Sequence, residues 1–169
     1  MVLPGLVWVY CRFNTVNLGV LVQITELKNS RKSIMKIISI VSVVDVVGAL
    51  ANNTLSGNIY LVDNNKIGGS TEEGTESLKT HVKEGDDVVW VVQPMECEAH
   101  ANIEGILIDS DCCEPQMKFY EGTDVSYWVG KIKKGATQGD YPYSLQFKVG
   151  SRIEDMATSA IPMLVIGQE

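Results

Sequence analysis

From Tyr143 to Val149 the chain alternates strictly, with Tyr143, Leu145, Phe147 and Val149 on one side and Ser144, Gln146 and Lys148 on the other. A period of two puts the first set on a dry sheet face and the second in water. Residues 37–47 follow another rule. Ile37, Ile38, Ile40, Val41, Val43, Val44, Val46 and Val47 are all β-branched, which predicts a strand buried on both faces. Further strands are predicted at 58–63, 78–82, 88–94, 102–109, 117–120, 126–134 and 161–167, with Pro162 marking a strand start or an edge. Between them lie turn-forming stretches such as ANNTLSG, NNKIGGS, KEGDD and GATQGDYP. Gly85 in KEGDD suits a tight turn, so 78–82 and 88–94 are expected to form a hairpin. Residues 151–160 read as a short helical turn or a loop, and no segment has the period of an amphipathic helix. The pattern predicts an all-β fold, an antiparallel β-sandwich of about eight strands, with a partly closed barrel as the alternative.

Hydrophobic residues make up 45% of the chain and charged residues 21%, the balance of a globular domain. The net charge of −7 disfavours nucleic acid and anionic membranes, which need clustered lysine and arginine. No uninterrupted apolar run reaches the length of a spanning helix. Residues 1–34 carry a balance of +3, which leaves −10 on residues 35–169. That break predicts that Met35 is the true start, with 1–34 a non-native or disordered extension and 35–169 a single β-sandwich domain. A genuine extension with strands near 6–10 and 19–25 is the other reading. Lys36, the apolar run after it and Ala49-Leu50-Ala51 imitate a short secretory signal, but Asp45 interrupts the run, and a buried strand explains it better. From Met35 onward there are three cysteines, Cys97, Cys112 and Cys113. An odd number fits a reducing compartment, so a cytoplasmic protein is expected, with secretion as the alternative.

Catalytic signatures are missing from the sequence. There are two histidines, His81 and His100, no nucleophile-elbow serine and no phosphate-binding glycine motif. An enzyme is therefore not expected. Cys97-x-x-His100 with Cys112 is the best zinc-ligand set, although an adjacent Cys112-Cys113 pair is poor spacing for one metal. Asp109, Asp111 and Glu114 are the corresponding oxygen set for calcium. Export would allow a disulfide from Cys97 to Cys112 or Cys113. Trp90, inside VVWVVQP, is expected in the core. Trp128 and Tyr141 flank the GKIKKGATQGD hairpin and are the aromatics expected to be exposed, for stacking on a sugar or filling an interface. Met163, Leu164 and Ile166 belong to an uncharged stretch ending at Gly167 and are expected to join subunits, as an edge or through an apolar face.

The order and spacing of KIISIVSVVDVV, NIYLVDNN, HVKEGDDVVWVVQP, YWVGKIKKG and YPYSLQFKV resemble the AidA/PixA group of bacterial inclusion body proteins. The resemblance runs from about Lys36 to Gly167 and departs from the group at SAIPMLVIG, where an aromatic-Asp-Pro is expected. It implies a non-enzymatic, self-associating accessory protein of a bacterial virulence or toxin system. Partners would be further copies of itself and toxin components encoded nearby, as beside the motility-associated killing factor. No cofactor and no catalytic residue is implied. The alternative is a lectin-like, carbohydrate-binding sandwich.

Overall fold

The computed structural model describes residues 35–167, and the expectations for residues 1–34 lie outside them. Residues 35–169 form a compact unit of their own. The strands are β1 (Ile37–Val44), β2 (Ile59–Asp63), β3 (Lys79–Val82), β4 (Asp87–Pro94), β5 (Ala101–Ile108), β6 (Gln116–Phe119), β7 (Ser126–Lys131), β8 (Gly139–Val149), β9 (Met156–Ala157) and β10 (Met163–Ile166). One helix, α1 (Val46–Asn52), follows β1. The first sheet runs β2-β1-β4-β7-β6 and the second β3-β10-β8-β5, with β9 beside β8.

Neither sheet closes on itself, so the fold is a sandwich rather than a barrel. Most neighbouring strands are antiparallel, but β1 pairs parallel with β4, and β10 with β3. Both sheets are mixed, which corrects the purely antiparallel expectation. The 83–86 turn does not form the expected antiparallel pair. Gly85 takes φ +84°, as expected, yet the turn carries the chain from β3 in the second sheet to β4 in the first. The expected hairpin is thus a crossing between layers. Asp86 holds it: one carboxylate oxygen accepts from the Lys36 N–H and the other from the Lys83 N–H, each at 3.0 Å.

The apolar run also ends earlier than predicted. Asp45 caps a helix, its carboxylate accepting from the Gly48 N–H, so Val46 and Val47 leave the strand. Val46 and Ala49 turn into the core while Val47 and Leu50 face out. Along β1, Ile38, Ile40, Ser42 and Val44 are fully buried between the sheets. Along β8, Tyr143, Leu145, Phe147 and Val149 do the same, as the alternation predicts. Trp90 is fully buried, and Tyr143 of the opposite sheet meets its ring edge-on, with centroids 6.0 Å apart. Gly130 makes room for this: a β-carbon there would sit 3.2 Å from both the Trp90 ring and Cys113 Sγ.

Candidate functional site

The metal candidates do not come together. Cys97 is exposed in the β4–β5 connection, and Cys112 is buried in the core, so the set Cys97, His100 and Cys112 is not assembled. All three cysteines after Met35 are free, and no disulfide joins them. Among the described residues, no three histidine, cysteine, aspartate or glutamate side chains gather in a way that could hold an ion. The acidic neighbours already have local work. Glu96 accepts from the Val46 and Val47 N–H groups at the start of α1. Asp109 accepts from the Asp111 N–H at 2.8 Å, and Glu114 pairs with Lys133. Contact with the Cys112 sulfur, then burial, pushes the Cys113 thiol far above its ordinary range. The same contact lowers Cys112.

The aromatic candidates turn inward. Tyr141 belongs to the buried face of β8 and retains only 8% of its exposure. Its hydroxyl donates to the Thr137 carbonyl at 2.8 Å. Trp128 is half-buried beside the core, and its Nε1 donates to the Ile103 carbonyl of β5 at 2.8 Å. Tyr141 is thus buried, contrary to the expectation of exposure, and Trp128 is only partly exposed. The uncharged Met163–Ile166 stretch is not an edge either. It is β10, held between β3 and β8, with Leu164 and Ile166 buried. A lysine at Leu164 would place a charge in the core rather than test an interface.

The exposed apolar edge lies elsewhere. On one side of the sandwich, residues 70–75 cover both sheet borders. Thr71 exchanges two backbone hydrogen bonds of 3.0 Å with Lys79 of β3, and Leu61 of β2 donates to the Thr75 carbonyl at 3.2 Å. On the other side, β5 is broken by a bulge between Ile103 and Gly105, which disrupts further pairing. The remaining border, β6, pairs among the described residues only with β7, and all four of its residues are exposed. Met117 (38% exposed) and Phe119 (60%) share one face of β6, and Tyr120 (48%) and Val125 (57%) are exposed in the connection to β7. Tyr120 lies against Tyr127, ring centroids 4.6 Å apart. The outward face of the same sheet is also apolar, with Val62, Val41 and Val91 in one register row.

Residues 36–154 match the model of a family described as a domain of unknown function, DUF8788. The chain belongs to the DUF8788 family. No curated protein matches this DUF8788 chain. Its fold is similar to that of an inclusion body protein (PixA) from Burkholderia cenocepacia, with a TM-score of 0.62 at 12% identity, over 82% of this chain and 99% of that one. A cysteine protease inhibitor from Entamoeba histolytica aligns at a TM-score of 0.32 and 14% identity, over 54% of this chain and 86% of that one. At 12% identity the first likeness shows the fold, and it is the fold that the strand order had implied.

Sequence reasoning expected an exposed strand at Met163–Ile166, which lies inside a sheet of the DUF8788 domain. It looked for an uncharged stretch and found Met163–Ile166, but a strand without charge is also what a sheet interior requires. QMKF, the strand at the exposed border, carries a lysine. The usable signal was the run of Met117, Phe119, Tyr120 and Val125 around a four-residue strand, more apolar surface than a solvated hairpin needs.

Proposed function

We propose that this DUF8788 domain is a non-enzymatic protein whose work is to associate with copies of itself through the β6 edge. The observation that carries the reading is that border: β6 exposes all four residues, Met117 and Phe119 among them, while segment 70–75 covers both borders on the opposite side. An unpaired edge offers N–H and C=O groups to another strand. A second copy supplies an identical edge, and two such edges pair antiparallel about a two-fold axis. Registers centred on Met117 or Phe119 bring those apolar side chains together and keep the paired Lys118 residues from lying directly opposite each other. The fold shared with an inclusion body protein supports association of this kind. Service as an accessory protein of a bacterial virulence or toxin system is the role the sequence resemblance implies. Toxin subunits encoded beside the gene would support it.

Light scattering at micromolar concentration tests the association. A dimer or larger species is expected for the parent chain, and a monomer for Phe119→Lys with an unchanged circular dichroism spectrum. A monomeric parent would sink the proposal, and an assembly indifferent to Phe119→Lys would move the interface away from β6.

A further inference from the structure

The second sheet contains a notch. β5 ends at Ile108, opposite Tyr143, whereas β8 begins earlier, at Gly139. Over Gly139–Pro142, β8 has β10 on one side and, among the described residues, no strand on the other. The resulting cleft has a volume of about 540 Å3 and is lined by residues that include Leu107, Asp109, Gln138, Asp140 and Tyr141. That volume is in the range of small-molecule sites, roughly 300–1,000 Å3.

From this cleft we infer a binding site for a neutral or amino saccharide. Its polar groups are unspent. The side chains of Gln138 and Asp140 have no hydrogen-bond partner among the described residues. Asp109 gives one carboxylate oxygen to the Asp111 N–H and keeps the other. Carboxylates and an amide of this kind accept from neighbouring ring hydroxyls, and the amide also donates. Leu107, 61% exposed, supplies the apolar surface that the C–H face of a sugar ring covers. Nothing lies within 4 Å of the β-carbon position of Gly139, which leaves its backbone open to a ligand. The rim is held in shape from beneath, because Tyr141 donates to the Thr137 carbonyl while its hydroxyl lies 2.7 Å from Thr137 Oγ1.

The charge selects the class of sugar. None of the lining residues is basic, and residues 35–169 carry −10, so carboxylated and sulfated glycans are repelled. Tyr141 thus takes part in sugar binding as a buried wall and not as a stacking platform.

The test is an array of neutral, amino-sugar and acidic oligosaccharides probed with the full chain. Calorimetric titration of the best-binding oligosaccharide would follow. Binding to neutral or amino sugars is expected, weakened at least about tenfold by Gln138→Ala and by Asp140→Ala, in line with lost charged or bidentate hydrogen bonds. Both positions are exposed, so their replacement spares the fold. Phe119→Lys should bind sugar as the parent does, which separates this site from the association edge. No glycan bound, acidic glycans alone bound, or affinity unmoved by both cleft variants would each overturn the inference.

Discussion

Trp90 and Ser42 are both fully buried on the inner face of the first sheet, and the same burial has opposite consequences for them. Trp90 fills the space above Gly130 and meets Tyr143, so truncation leaves a large void. Trp90→Ala should cost about 3–5 kcal/mol of unfolding free energy in urea titration. A loss below about 1 kcal/mol would contradict its place in the core. The Ser42 hydroxyl has no hydrogen-bond partner among the described residues, so the protein bears its desolvation without return. Ser42→Ala should therefore raise stability by about 1 kcal/mol, a sign opposite to that of most core truncations. A measured loss of similar size would mean that the hydroxyl is satisfied. Burial also pushes the Tyr143 hydroxyl above its ordinary range, so it stays protonated through neutral pH.

At the scale of elements, the borders decide what each sheet can do. Among the described residues, β3 and β2 are covered by residues 70–75, β5 is bulged, and β6 is open. Lys118 is the one charge within β6, and a lysine on an edge opposes pairing with another chain. Lys118→Thr removes the guard and adds a β-branched residue. It should tighten self-association about tenfold, read as a shift in the concentration dependence of light scattering. No change, or a weaker assembly, would show that β6 is not the joining strand. The helix α1 shows the limit of periodicity over short spans. With seven residues it is too brief to display an amphipathic pattern, and its signal was the capping aspartate that interrupts the valines.

For the molecule as a whole, charge opposes the association proposed for the β6 edge. Copies carrying −10 on residues 35–169 repel one another, and added salt screens that repulsion. Raising ionic strength from about 0.1 to 1 M shortens the screening length from about 10 to 3 Å. Association through an apolar edge should therefore strengthen with salt, seen as a larger weight-average mass in sedimentation at fixed protein concentration. Weakening by salt would instead indicate contacts built on ion pairs.

What the sequence by itself determined was local: nine of the ten strands (β9 lies in 151–160, read as a helical turn or loop, and β8 begins inside the predicted GATQGDYP turn), the buried face of β8, the positive-φ turn at Gly85 and the burial of Trp90. Each follows from side-chain period or from the conformational freedom of one residue, and neither needs knowledge of distant neighbours. The sequence also carried the strand order that matches the fold shared with the inclusion body protein. Tertiary structure alone decided which strands became neighbours. It carried the 83–86 turn between the sheets, put β10 between β3 and β8, and left β6 as the open border among the described residues. It also separated Cys97 from the buried Cys112 and opened the notch beside Gly139–Pro142. Pairing brings together residues far apart in the chain, and a strand interior and a strand edge can share one composition. Only the assembled sheets tell them apart.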